Sequence, residues 1–300
     1  MTREETDRIW TTRQLLEWMT GHFKTREIDS PRVVAEMLLS HVIGCDRMRL
    51  YMEVDRPAQP DELASLRSLV ARAARHEPGQ YLVGHAWFFA RQFEVTRSVL
   101  IPRPSTETLV EHVIQWCRSR PEHGDPLIAD IGTGSGCVAV SLAIDLKTAR
   151  IVATDVDDAA IAVARRNAAA HGVEGRIEFR TGAGMDPLGG APGAAYDVIC
   201  ANPPYISDSE WLDVAPNVKD HEPPGALRGG ADGLSVIRSI IAGAGPLLKP
   251  GGRLVLEIAD SQRDEVHDLV MANEVLANPV VHRDHEGFWR VLVAELGPRL

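Results

Sequence analysis

From residue 127 onward the chain alternates short apolar runs with amphipathic helical stretches, and this alternation leaves few ways to fold. Residues 127–131, 151–155, 177–180, 196–201 and 253–258 read as strands. Residues 137–146, 158–170, 234–248 and 262–272 read as helices, and two late strands are expected near 278–282 and 289–295. Strands and helices taken in turn specify a doubly wound α/β sheet with helices on both faces. In such sheets ligands bind beyond the carboxyl ends of the strands. Those ends are where chemistry is to be sought.

The first part of the chain has a different period. Leu15, Leu16, Met19 and Phe23 recur at helical spacing, as do Leu63, Leu66, Leu69, Val70 and Ala73. Ser30-Pro31 reads as an N-cap followed by proline at the first helical position, with Val33, Val34, Met37, Leu38 and Val42 on one face of the helix that follows. Residues 1–85 are therefore expected to form a small all-helical domain. Residues 86–104 are strand-prone around Trp87, Phe88, Phe89, Phe93, Val95 and Val99, and end at Pro102 and Pro104. They predict a β-hairpin linker to a domain spanning 105–300, with helix resuming over 106–116. The segment 189–195 reads as a flexible insertion.

Three short stretches carry chemistry. Asp130-Ile131-Gly132-Thr133-Gly134-Ser135-Gly136 follows a strand and opens a helix. Glycines there let the backbone turn sharply and approach a ligand, and the helix start adds free N–H donors. The spacing is G-x-G-x-G, with Cys137 where a dinucleotide loop has its third glycine, and there is no Walker lysine. Asp155 closes the second strand, where a carboxylate can accept both hydroxyls of a ribose. Asn202-Pro203-Pro204-Tyr205 follows the strand ending at Ala201. Its prolines fix the backbone and remove two donors. The Pro203 carbonyl and the Asn202 side-chain oxygen then form a pair of acceptors suited to a planar –NH2 group, with Tyr205 as an aromatic wall.

The loop resembles the nucleoside-binding loop of class I S-adenosylmethionine-dependent methyltransferases, a Rossmann-like fold, and Asn202–Tyr205 resembles the substrate motif of those that methylate amide or amine nitrogens. Further stretches are similar to one family, the peptide chain release factor N5-glutamine methyltransferases (HemK/PrmC). They are Gln80-Tyr81-Leu82-Val83-Gly84, Ile101-Pro102-Arg103-Pro104-Ser105-Thr106-Glu107, Glu222-Pro223-Pro224-Gly225-Ala226-Leu227, Gly229-Gly230-Ala231-Asp232-Gly233-Leu234 and Gly251-Gly252-Arg253-Leu254 through Glu257. The resemblance implies methyl transfer from S-adenosylmethionine to the glutamine amide nitrogen in the Gly-Gly-Gln motif of class 1 release factors. It places the cofactor on Gly132, Thr133, Gly134, Ser135, Gly136, Asp155, Gly184 and Asn202. It assigns the glutamine amide to Asn202 and the Pro203 carbonyl, with Pro204 and Tyr205 completing the pocket. One position departs from the pattern: where the family has an acid followed by an aromatic ring against adenine, Ala183-Gly184 stand.

Composition narrows the alternatives. A net charge of −10 argues against general phosphate attraction, so direct nucleic-acid binding is not expected, and an adenine N6-methyltransferase ranks below a ribosomal-protein glutamine methyltransferase among the other readings. A binding module without catalysis is the alternative from another class. Cys45, Cys117, Cys137 and Cys200 form no CxxC pair, and the histidines suggest no metal site. The charged amino terminus lacks the apolar stretch of a signal peptide, and no run is long enough to span a membrane, so a cytoplasmic location is expected; a monomer is expected as well.

Overall fold

The computed structural model describes residues 9–120, 124–189 and 196–297. The insertion at 189–195 therefore lies, but for Gly189, outside the described residues. By contacts the chain divides into two units, one of Met1–Gly84 with Pro216–His221 and one of His85–Ala215 with Glu222–Leu300.

The first unit is helical: α1 (Thr12–Lys24), α2 (Pro31–Ile43), α3 (Arg47–Met52), α4 (Pro60–Ala73) and α5 (Gly79–Val83), with α9 (Pro216–Lys219) from later in the chain. Helix α1 begins in a capping box, Thr11 accepting from the Gln14 N–H and Gln14 accepting from the Thr11 N–H. Ser30 does occupy the N-cap of α2, but in a left-handed conformation and with no side-chain cap bond. The buried face of α2 is Ala35, Leu38 and Leu39, while Val33 is exposed and Val34, Met37 and Val42 lie at the margin. Periodicity could not orient a helix that is apolar nearly all round. What turns it is Glu36, buried because Arg32 (2.8 Å), Arg47 (2.5 Å) and the Tyr51 hydroxyl all meet its carboxylate.

The second unit opens with a hairpin, β1 (His85–Phe88) and β2 (Arg91–Glu94), closed by Phe89 and Ala90, both at positive φ. Strand pairing stops at Glu94, although Val95, Val99 and Ile101 remain buried. The chain continues through α6 (Ser105–Arg118), β3 (Leu127–Ile131), α7 (Cys137–Asp145), β4 (Arg150–Asp155), α8 (Asp158–Ala170), β5 (Ile177–Thr181) and β6 (Tyr196–Ala201). Then come β7 (Ile206–Ser207), β8 (Arg228–Gly230), α10 (Ser235–Ala244), β9 (Leu248–Glu257), α11 (Arg263–Met271), β10 (Leu276–Arg283) and β11 (Trp289–Leu296).

The main sheet has seven strands in the order β10-β11-β9-β6-β3-β4-β5. All pairings from β9 to β5 are parallel, and β11 alone runs against its two neighbours. One apolar cluster packs α6, α7 and α8 on one face through residues such as Leu109, Val138 and Ala164. A second packs α10 and α11 on the other through Ile237, Ile240 and Val266. The expected doubly wound sheet is thus the observed one. Because β4 lies on one side of β3 and β6 on the other, the crossover changes direction there, and the carboxyl ends of β3 and β6 open a crevice.

Candidate active site

Register sets the site. Ile131 on β3 is level with Thr154 on β4 and Ala201 on β6, and Ala201 is level with Leu256 on β9. The next residue on each strand is Gly132, Asp155, Asn202 and Glu257. Four residues far apart in sequence therefore form one row along the carboxyl edge, with neighbouring strands about 4.8 Å apart.

At β3 the backbone turns through Gly132 (φ 69°), Gly134 (φ 54°) and Gly136 (φ 78°). The three have different reasons. A Cβ on Gly136 would sit 3.0 Å from the Ala164 Cβ, so this glycine lets α7 start close against α8. Apart from their chain neighbours, no atom of the described residues lies within 4 Å of where a Cβ on Gly132 or Gly134 would be, leaving an open cradle. Thr133 and Ser135 are buried, and the Thr133 hydroxyl donates to Asp130 at 2.6 Å. Burial raises the Asp130 carboxyl to about 6, against the hydrogen bond from Thr133. Asn167 on α8 braces the loop: its amide donates to the Ser135 carbonyl (2.8 Å) and the Glu94 carbonyl (3.0 Å), and accepts from the Glu94 N–H (2.7 Å).

Asp155 accepts from the Gly134 N–H at 2.9 Å through one oxygen and from the Asp157 N–H at 3.1 Å through the other. Burial raises its pKa, and these backbone donors oppose the rise. Each oxygen keeps a free acceptor direction for a ligand hydroxyl. Val156, beside it, is 68 % exposed, an apolar surface at the mouth of the cradle. Beyond β5, Gly182 packs against Pro187, Ala183 is exposed, and Gly184 takes a left-handed φ of 50°, an added Cβ there meeting Ser239 at 3.9 Å. Asp186 lies exposed in a following 3-10 turn.

At β6 the side chain of Asn202 donates through Nδ2 to the Thr106 hydroxyl at 3.0 Å, which leaves Oδ1 as its free edge. Pro203 is buried, and among the described residues no donor reaches its carbonyl. The rest of the loop is held by backbone contacts. Gln262 donates to the Tyr205 carbonyl at 2.9 Å, and β7 pairs with β8. Gly229 and Gly233 pack so tightly that added Cβ atoms would lie 2.7 Å from the Pro204 carbonyl oxygen and 2.2 Å from that of Tyr205. Burial pushes the Tyr205 hydroxyl, already neutral at physiological pH, up to about 12.

Residues of three other stretches singled out in the sequence, 101–107, 222–227 and the end of 251–257, serve here as supports, while Gln80–Gly84 lies in the helical unit. Glu222 accepts from the Ile101 N–H (3.1 Å) and pairs with Arg103. Glu107 accepts from the Phe89 N–H in the hairpin turn at 2.7 Å. Ser105 donates to Glu257 at 3.3 Å. Thr106, Asn167, Gln262 and Glu257 have no role legible from spacing alone, since each acts on a residue remote in sequence.

This sheet order, with an open G-x-G-x-G cradle, an acid closing the next strand and an Asn-Pro-Pro-Tyr loop at the switch point, defines a class I methyltransferase. A family model described as the PrmC N-terminal domain matches residues 14–84, and one described as the methyltransferase small domain matches residues 105–218. The release factor glutamine methyltransferase of Geobacter sulfurreducens is 41% identical over 87% of this chain and 89% of its own length. That of Chlorobaculum tepidum is 39% identical (88% and 90%), and that of Cereibacter sphaeroides 41% identical (90% and 92%). The chain belongs to the release factor glutamine methyltransferase family. Among solved structures, the hMettl16 catalytic domain in complex with an RNA hairpin has a TM-score of 0.52 at 15% identity, covering 81% of this chain and 84% of that one, a likeness of fold alone. Among the described residues no helix is long and apolar enough to cross a membrane.

Proposed function

We propose that this chain transfers a methyl group from S-adenosylmethionine to the side-chain amide nitrogen of the glutamine in the Gly-Gly-Gln motif of class 1 release factors. The observation that carries this is the Asn202 side chain, whose Nδ2 is committed to Thr106 so that Oδ1 is left to accept. A glutamine –NH2 offers two donors, and Asn202 Oδ1 with the Pro203 carbonyl are two acceptors.

An amide nitrogen is a weak nucleophile because its lone pair is delocalised into the carbonyl. The cofactor supplies an activated methyl group. What remains for the protein is to hold the nitrogen in line and to stabilise positive charge as it develops there. Acceptors on both N–H groups do both. Tyr205, a neutral phenol whose pKa burial raises further, is a wall for the substrate and not a base. Proton loss follows methyl transfer, when the nitrogen has become acidic.

The residues present fit the cofactor. The space in front of Gly132 and Gly134 admits its backbone-contacting part, and Asp155 has an acceptor free on each oxygen for the ribose. Val156 offers an apolar face to adenine in a site that lacks an acid and ring at Ala183-Gly184. Asp155→Ala is expected to weaken cofactor binding about 100-fold, since hydrogen bonds to a charged acceptor contribute roughly 1.5–3 kcal/mol each. Calorimetric titration with S-adenosylmethionine checks this, and an unchanged Kd removes Asp155 from the site.

The helical unit is read as the grip on the protein substrate. A chain beginning at residue 86 is expected to bind cofactor normally but to show a raised KM for release factor, and an unchanged KM refutes that role. Mass spectrometry of an unmethylated class 1 release factor, incubated with the protein and cofactor, tests the activity. One added methyl on the Gly-Gly-Gln glutamine supports it. No addition, with cofactor bound, redirects the search to ribosomal protein.

A further inference from the structure

The row of strand ends contains one member that cofactor and substrate do not use. Glu257 is wholly buried at the end of β9, one strand from Asn202. Its Oε1 accepts from the Ser105 hydroxyl, and its Oε2 has no hydrogen-bond partner among the described residues. Thr106, 3 % exposed, meets the Asn202 amide on one side and the Glu257 carboxyl on the other.

We propose that Thr106 and Glu257 are positioning residues that decide which edge of the Asn202 amide faces the substrate. This rests on the reading of Asn202 given above.

A hydroxyl has one proton. If the Thr106 oxygen accepts from Asn202 Nδ2, its proton must find another acceptor, and the carboxyl beside it is Glu257. A charged Glu257 can only accept, so the relay has one polarity: Asn202 donates to Thr106, Thr106 donates to Glu257, and Asn202 Oδ1 faces outward. A protonated Glu257 imposes no such order. Thr106 is then free to donate to Asn202 Oδ1, and the turned amide presents its own –NH2 to the –NH2 of the substrate. Two donors facing each other cannot bind.

The surroundings place this choice near neutrality. Burial dominates and raises the Glu257 carboxyl to about 7, while the hydroxyls of Thr106 and Ser105 on α6 and the charge of Arg290 on β11 hold it down and Asp284 raises it further. Burial is the main cause of the raised pKa values of Tyr205 of the substrate loop and Cys137 of α7, and the charge of Glu257 adds to both. The competent form is the charged one, so kcat is expected to climb with pH and to level off above about 7.

Two readouts test this on the full chain. In the first, kcat is measured with release factor across neutral pH. Thr106→Val is expected to lower kcat about 10- to 100-fold with the Kd for cofactor and the melting temperature little changed, and Thr106→Ser to restore it to within about threefold. Glu257→Gln is expected to lower kcat and to abolish its rise through neutral pH. In the second, the Asn202 side-chain amide is followed by 1H–15N NMR, its signal identified by its loss in Asn202→Ala. That signal is expected to titrate in the wild type with a midpoint of about 7 and to stop doing so in Glu257→Gln. Wild-type kcat in Thr106→Val, or an Asn202 signal whose pH course is the same with and without the Glu257 carboxyl, overturns the proposal. If the wild type fails to methylate release factor, the substrate reading falls, while the NMR titration still decides the orientation of Asn202. If Asn202→Ala is inactive and Thr106→Val is not impaired, the substrate reading stands and the relay is wrong.

Discussion

Asn202→Ala is expected to lower kcat about 100- to 1,000-fold while leaving the Kd for S-adenosylmethionine within about threefold, the loss seen when one preorganised polar contact to developing charge is removed. Truncation leaves the glutamine nitrogen with one acceptor where the pocket supplied two, so it loses both its aim and the electrostatic support for its transition state. The cofactor contacts proposed for Gly132, Gly134 and Asp155 rise from β3 and β4 and do not pass through this side chain. Single-turnover rates with saturating cofactor, beside calorimetric binding, separate the two. An equal loss of binding and rate would assign Asn202 to the cofactor; no loss of rate would remove it from the chemistry.

Gly233→Ala is expected to disable the same loop from outside. Gly233 has a φ of +77°, and its added Cβ would lie 2.2 Å from the Tyr205 carbonyl oxygen and 2.6 Å from Gln262 Nε2, which donates to that carbonyl. A left-handed alanine costs about 1–2 kcal/mol, and overpacking against backbone about 1–3 kcal/mol more. The melting temperature should fall by roughly 5–15 °C. At a temperature where the variant is folded, kcat should fall by about 100-fold, because an ångström of misplacement is felt in the reacting geometry. Gly225→Ala, in the adjoining stretch, meets nothing within 4 Å and is at no positive φ, so it should be silent in both measurements. Wild-type melting and turnover in Gly233→Ala would show that the Asn-Pro-Pro-Tyr loop is not held in this way.

The two variants mark different kinds of legibility. Asn202 announces itself, because two prolines behind an asparagine at a strand end are hard to explain by packing. Gly233 is visible as part of a recurring stretch, yet nothing in that stretch says that it packs on the Tyr205 carbonyl. Helix α2 shows the same limit: its apolar residues were plain, but the orientation that buries Leu38 and Leu39 and exposes Val33 comes from a charge network around Glu36 contributed in part by α3.

The sequence by itself determined the main strands and helices and their order, though not the short α3, β7 and β8, nor that the helix expected over 234–248 ends at Ala244 and Leu248 already belongs to β9. Continuous apolar runs and period-3.6 patterns, the glycine turn after β3 and the acid closing β4 are local consequences of backbone geometry, and they required a doubly wound sheet with its site at the strand ends. Tertiary structure alone decided which residues share that edge. Register between β3, β4, β6 and β9 brings Gly132, Asp155, Asn202 and Glu257 level, and the start of α6 sets Thr106 between the last two. Pairing between remote strands is fixed by packing both faces of the sheet at once, a condition on the whole domain that no window of sequence contains.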